Sequence, residues 1–393
     1  MKLEYKIAII IGGALVVGGA IYLFSPKQDS SSYYPVGIPK GIPNEGIATE
    51  IISGESTSTS TKGADSNQKN TVAEKKIISD FKNAHFALAP ELSTIDGYIN
   101  TGGKPITLTE LRGKKVVLLD IWTYSCINCQ RTLPFIEEWY DKYKDQGLEI
   151  IGLHTPEFSF EKVEDNVTEA VKKLGIIYPV VLDNDFSTWK AYGNQYWPRK
   201  YLIDIDGYIV YDHIGEGGYE ETEMAIRSAL LERANRLGVN MDVVPSEGSA
   251  KESTAISDLH KVGSPETYFG SERNQYLANG TQGRVGLQTL SIPSIVNANT
   301  LYLSGTWNFT PEFAENESEA KIIFKYSAKN VYMVAGSDTG VDVEIFLDGV
   351  LSKTILIKGV ELYTLFEGSD YGVHTLEIRI KKSRLKAFTF TFG

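Results

Sequence analysis

Cysteine is scarce in this chain: 393 residues hold only two. That excludes a disulfide-stapled scaffold and a four-cysteine zinc site. A basic excess is missing as well, since 39 Lys and Arg face 50 Asp and Glu, for a net charge of −11. A surface of that sign repels phosphate backbones, so no nucleic-acid partner is expected. There is no internal repeat, and His85, His213, His260 and His374 are too scattered to form a ligand cluster, which suits surface or core positions. What remains is a composition, 42% hydrophobic and 23% charged, that is ordinary for folded domains, in a chain long enough for two or three of them.

One stretch carries no charge at all, Ile7 to Pro26. At 1.5 Å per residue, a helix of that length spans about 30 Å, the hydrocarbon thickness of a bilayer. Lys2 and Lys6 precede it against Glu4, so the N-terminus is expected to stay cytoplasmic and the rest to lie outside. The run is longer than a usual signal-peptide core, and Tyr22-Leu23-Phe24-Ser25-Pro26 offers no small-x-small cleavage site. Residues 1–26 therefore read as an uncleaved single-pass anchor. Residues 27–83 follow as a Ser/Thr/Gly-rich linker that cannot bury enough apolar area to offset its ordering entropy. Its root-mean-square reach is roughly 40 Å.

Residues 84–236 alternate strand and helix patterns. Val116 to Trp122 is a continuous apolar run interrupted only by Asp120, the signature of a buried parallel strand. Cys126-Ile-Asn-Cys129 follows at once, and then Leu133, Ile136, Tyr140 and Tyr143 recur at helical spacing. Strands are expected at Leu148–Leu153 and Tyr178–Leu182, a helix at Phe160–Leu174, an Asp-Gly hairpin across Tyr201–Tyr211, and a closing helix at Glu220–Leu237. The fold class is a mixed α/β sheet covered on both faces.

This order places Cys126 at the first turn of a helix, where unpaired N–H groups and the macrodipole favour a thiolate, the attacking species in disulfide exchange. Cys129, one turn further in, is placed to resolve a mixed disulfide. Asp120, expected on the buried strand, should hold its proton more tightly than usual and so suit proton exchange with Cys129. A purely structural bridge is the bland alternative, but a two-residue loop is a poor staple, and no second cysteine pair completes a metal site. Thr123-x-x-Cys126 also matches part of a peroxiredoxin signature, although Leu119 stands where that signature has proline.

These features resemble thioredoxin. Pro134 matches the proline inside its active-site helix, Asp120 its buried aspartate, and Trp197-Pro198 its cis-proline loop, which faces the disulfide and positions substrate. Ala89-Pro90-Glu91 and Leu108–Leu111 resemble the extracytoplasmic TlpA/ResA branch. Trp122-Thr-Tyr-Ser-Cys-Ile-Asn-Cys-Gln-Arg-Thr-Leu-Pro134, His154-Thr-Pro-Glu-Phe158 and Tyr192-Gly-Asn-Gln-Tyr-Trp-Pro198 resemble the thioredoxin domain of DipZ-type proteins. The resemblance implies a thiol–disulfide oxidoreductase with Cys126, Cys129, Asp120 and Pro198 in catalytic roles, and with Trp122, Tyr124, Trp197 and Glu157 in support. It implies no cofactor beyond the Cys126–Cys129 disulfide, and no metal. Its substrates would be disulfide-bearing envelope proteins. Full DipZ members carry a multi-helix membrane domain for electrons, so the single anchor here implies a separate membrane donor of the CcdA type.

After a second linker at 237–261, residues 262–393 alternate apolar and polar in seven short runs with turn chemistry between them. The expected fold is a jelly-roll-like β-sandwich. Ser264-Pro-Glu-Thr-Tyr-Phe-Gly270 and Ala387-Phe-Thr-Phe-Thr-Phe-Gly393 resemble the β-domain that follows thioredoxin in DipZ proteins, likened there to a carbohydrate-binding module. A glycan ligand is one expectation, with Tyr268, Tyr276, Trp307, Tyr332 and Tyr363 as stacking candidates, although aromatics at alternate strand positions also suit a core. Two rival readings follow: an envelope binding module scaffolded by the thioredoxin fold, or a disulfide oxidase or isomerase rather than a reductant.

Overall fold

The computed structural model describes residues 78–240 and 261–393. The expected anchor at 1–26 and nearly all of both linkers lie outside the described residues. No helix among the described residues is long and apolar enough to cross a membrane.

The first domain is built from β1 (Gly97–Ile99), α1 (Leu108–Leu111), β2 (Val116–Trp122), α2 (Ile127–Tyr143), β3 (Leu148–His154), α3 (Glu164–Leu174), β4 (Val180–Leu182), α4 (Ser187–Ala191), β5 (Arg199–Ile203), β6 (Ile209–Ile214) and α5 (Tyr219–Leu237). The strands form one sheet in the order β1-β4-β3-β2-β5-β6. Strands β2, β3 and β4 are parallel, and β1, β5 and β6 run antiparallel to their neighbours. This is the thioredoxin arrangement.

Strand β2 is buried at every position because both faces of the sheet are covered. The two-residue period of a strand then sorts its side chains. Val116, Leu118 and Trp122 join the core beneath α2, while Val117, Leu119 and Ile121 join the core on the opposite face. Asp120 shares the parity of the first set, so it enters the apolar layer that also holds Cys129.

The Asp206-Gly207 turn closes the β5–β6 hairpin with Gly207 at φ 92°, and the Asp204 carboxylate accepts from the N–H groups of Asp206 and Tyr208 at 2.9 Å each. The helix expected from Phe160 starts later, at Glu164, after a tight 3-10 turn at Ser159–Lys162. The Glu161 carboxylate causes the delay by turning back to accept from the Glu157 and Phe158 N–H groups. Packing of the domain also takes in residues before 84. Lys82 is buried, with its ammonium 2.6 Å from Asp204, 2.9 Å from Asp206, and paired with Glu232 as well.

The second domain comprises β7 (Thr267–Tyr268), β8 (Gly286–Leu290), β9 (Leu301–Phe309), β10 (Ala314–Asn316), β11 (Ala320–Gly336), β12 (Val341–Leu347), β13 (Val350–Ile357), β14 (Glu361–Ile380) and β15 (Lys386–Phe392). Two of the seven expected short runs lie on the single strand β11. A register shift between Ala328 and Asn330 bends it without breaking it. Its first half pairs with β9 and its second with β15, which returns to β9 through β10. The expected two-sheet sandwich is thus a single sheet that closes on itself, with the strand bend serving as the corner. Alternation decides the inside: Val341, Val343 and Ile345 of β12 point in, while Asp342 and Glu344 stay out.

The domains meet along an apolar seam. Phe158 and Phe160 pack edge-on against Phe388, with ring centroids 5.2 and 5.0 Å apart. Val334, Phe313 and Leu362 complete that cluster. Ser159 donates to Glu312 through its hydroxyl at 2.6 Å, and Lys173 pairs with Glu361.

Candidate active site

Strand β2 ends at Trp122, and four residues later Cys126 serves as the N-cap of α2. Its backbone is extended, and its sulfur accepts the Cys129 N–H at 3.3 Å, satisfying one of the donors a helix start leaves free. Both cysteines are free thiols. Cys126 is partly exposed, whereas Cys129 is wholly buried. Burial, the adjacent Cys126 sulfur and the Asp120 charge hold the Cys129 thiol well above its ordinary range. The pair is therefore asymmetric, with one cysteine partly exposed and the other enclosed in the core, its thiol held protonated.

Asp120 is fully buried, and its pKa is pushed up to about 6 by burial, against the pull of the nearby Lys200 ammonium. Lys200 is equally buried, stands opposite Asp120 in the β2–β5 register, and brings its Nζ to 3.8 Å from Oδ1. That distance is an ion pair without a hydrogen bond, and neither carboxylate oxygen nor the ammonium has another partner. Sequence reasoning missed Lys200. The signal was present, because Lys200 shares strand parity with Leu202, which faces the α2 side.

Helix α2 has Pro134 inside it, where the resemblance placed it. Asn128, between the cysteines, accepts from Arg131 at 2.6 Å. Arg131 is itself buried, makes a two-pronged pair with Glu216 at 2.8 and 2.7 Å, and lies 5.9 Å from the Tyr332 ring centroid of the second domain.

The supporting residues sort into different roles. Trp122 is a core residue rather than a wall of the site. Its indole lies so close to Gly152 that a Cβ there would meet Nε1 at 2.9 Å. Tyr124 is also buried, stacked on His154 at 5.7 Å and edge-on to Phe160 at 5.9 Å, so it supports the loop instead of docking a partner. His154 is wholly enclosed, and burial lowers its pKa to about 3, which keeps it neutral. Its Nε2 faces the Tyr124 N–H at 3.4 Å. The Trp197–Pro198 bond is cis, and the Trp197 indole donates to the Thr155 carbonyl at 2.9 Å. Cys126 and Trp197 pack against the same core cluster.

Glu157 is turned away to the domain seam, where its carboxylate accepts from the Tyr268 hydroxyl at 2.8 Å and Arg273 Nη1 at 2.7 Å. The carboxylate that reaches the cysteine loop is Glu161, fully buried and 2.6 Å from the Ser125 hydroxyl. No motif announces it, since it sits in a stretch that reads as an ordinary helix start. Among the stacking candidates, Trp307 is wholly buried and Tyr332 nearly so, Tyr268 is enclosed by the seam, and the Tyr363 hydroxyl is bonded to the Lys358 carbonyl at 2.6 Å. Asp204, Asp206 and Glu232 are the one carboxylate group among the described residues close enough to share an ion, and the Lys82 ammonium already fills their centre.

Comparison with known proteins agrees with this geometry. The Redoxin family model matches residues 79–230, and the model described as thioredoxin like C-terminal domain matches 264–393. Protein DipZ of Mycobacterium tuberculosis is 40% identical over 307 residues, covering 78% of this chain and 43% of DipZ. The chain thus spans less than half the length of that relative. Thiol-disulfide oxidoreductase ResA of Bacillus thuringiensis is 36% identical over 121 residues, 31% of this chain and 66% of ResA. Thiol-disulfide oxidoreductase YkuV of Bacillus subtilis is 28% identical over 143 residues, 36% of this chain and 94% of YkuV.

Proposed function

From a chain that joins a redoxin domain to a DipZ-type thioredoxin-like C-terminal domain, we propose a thiol–disulfide oxidoreductase that reduces disulfides in other proteins. The observation that carries this reading is the asymmetry of the pair. Cys126 is reachable at a helix start, and Cys129 is buried one turn behind it beside a carboxylate of raised proton affinity.

In the forward half-reaction the Cys126 thiolate attacks one sulfur of the partner disulfide and expels the other as a thiolate, leaving a mixed disulfide. Cys129 then loses its proton to the Asp120 carboxylate and attacks the Cys126 sulfur. The partner's second thiolate departs, and Cys126 and Cys129 are left oxidised. Two electrons pass from the dithiol to the partner disulfide, and a membrane dithiol donor of the CcdA type restores the pair. The Trp197-Pro198 loop, packed on the same core as Cys126, holds the substrate chain against the attacking sulfur.

The uncharged run Ile7–Pro26 supports a single-pass anchor, with the domains outside the membrane and disulfide-bearing envelope proteins as substrates. A Cys129→Ser variant tests the chemistry, because it can form the mixed disulfide without resolving it. Incubation with an oxidised protein substrate should give a covalent adduct through Cys126 that dithiothreitol releases. Absence of any such adduct, with wild type also unable to reduce the substrate, would overturn the proposal.

A further inference from the structure

We propose that Glu161 is a positioning residue through which docking of the second domain sets the reactivity of Cys126. The inference rests on the oxidoreductase reading of the same site. It starts from a carboxylate with no exposed surface that is held by N–H and O–H donors rather than by a cation. One oxygen accepts from the Ser125 hydroxyl at 2.6 Å and the Ser125 N–H at 3.3 Å. The other accepts from the N–H groups of Glu157 at 2.6 Å and Phe158 at 3.0 Å. Both of its oxygens serve as acceptors, and these bonds work against the burial that raises its proton affinity. Burial without those bonds would be costly, so all four groups are fixed together.

The two ends of this bridge matter. Ser125 is the residue before Cys126, and the Cys126 sulfur must sit so that it accepts the Cys129 N–H. Glu157 and Phe158 are the residues the second domain grips. Arg273 Nη1 and the Tyr268 hydroxyl hold the Glu157 carboxylate, the Arg273 guanidinium lies 3.7 Å over the Tyr268 ring, and Phe158 packs against Phe388. A continuous path of hydrogen bonds and adjacent residues therefore runs from Arg273 through Glu157, Glu161 and Ser125 to Cys126. Lys173 and Glu361 also cross the seam but lie off this path, and they provide the control.

The test is the rate at which iodoacetamide alkylates Cys126 in the reduced full chain, read by peptide mass for wild type, Arg273→Ala, Ser125→Ala, Glu161→Gln, Lys173→Ala and the Arg273→Ala/Glu161→Gln double variant. Thermal midpoints are followed in parallel. Couplings of the size found between contacting residues change a rate by roughly two- to a hundredfold. Arg273→Ala, Ser125→Ala and Glu161→Gln should each show such a change, Lys173→Ala none, and the double variant no more than Glu161→Gln alone. An unchanged rate in Arg273→Ala would overturn the inference, as would additive effects in the double variant or a lowered midpoint without a rate change. Should Glu161→Gln fail to fold, Ser125→Ala with Arg273→Ala carries the same cycle. Alkylation needs no partner disulfide, so its outcome is separate from that of the mixed-disulfide experiment.

Discussion

The two domains of this chain bury polar chemistry in opposite ways. Among the described residues, every buried Asp, Glu, Lys, Arg or His lies in the first domain, including Asp120, Arg131, His154, Glu161 and Lys200. The second domain encloses Ser, Thr, Asn and Gln, its core is a single large cluster around Trp307, Phe324 and Phe390, and its perturbed ionisable groups Glu266 and Arg273 gather at the seam beside Glu157. Both are folded sheets of ordinary composition. The difference lies in what each core is for: an apolar core minimises energy, whereas buried charge persists where proton affinity must be set. The first domain therefore holds the buried ionisable groups around the cysteines, and the coupling proposed above would reach them through the seam.

The comparison is broken most forcefully by unpairing Asp120 and Lys200. Removing one partner of a buried ion pair leaves an uncompensated charge and costs about 3–5 kcal/mol, whereas apolar replacement of both is often near neutral. Asp120→Leu and Lys200→Met should each lower the stability of the first domain by that amount in denaturant titration, and the double variant should regain most of it. A double variant as unstable as the sum of the singles would show that the charges do not act as a pair.

A somewhat smaller effect separates the domains by pH. Asp120 holds its proton up to about pH 6 in the folded state, against 3.8 for an ordinary carboxyl. Its contribution to stability is thus fully present below 3.8 and is lost as pH rises through about 6. His154 runs the other way: its pKa falls from 6.5 to about 3, so its contribution is present above 6.5 and is lost as pH falls toward 3. Between pH 4 and 6 each slope amounts to about 2–3 kcal/mol, and in wild type the two largely offset there. Asp120→Asn should unmask a stability that falls in acid, and His154→Phe one that rises. Identical slopes in the two variants would contradict these assignments.

The smallest effect sharpens the contrast from the other side. Ile345 is fully buried in the second domain's core, and Ile345→Val should cost about 1 kcal/mol through a small cavity. The alkylation rate of Cys126 should not move. A changed rate would mean that packing anywhere in the second domain reaches the thiols, and not only contacts along the seam.

The strand–helix order, the cysteine turn and Asp120 could be read from the sequence because each rests on local periodicity, which survives without tertiary information. The closing of the second sheet on itself could not. It depends on a bend at Ala328 that pairs one strand with two partners, and no short pattern encodes such a pairing. Lys200 was legible in principle, by counting parity from Leu202 across to Asp120. Glu157 and Glu161 show the opposite limit. Two glutamates four residues apart in one loop look interchangeable in sequence, yet the seam takes one and the cysteine loop takes the other. Only the placement of Arg273 and Ser125, more than 100 positions apart in the chain, separates their roles.

The central claim, that Cys126 and Cys129 work as a reductant, is tested most directly by the reduction potential of the pair in the full chain equilibrated against defined thiol buffers. The account predicts a value near that of thioredoxin, about −270 mV. A value near −120 mV, typical of strong periplasmic oxidants, would contradict it.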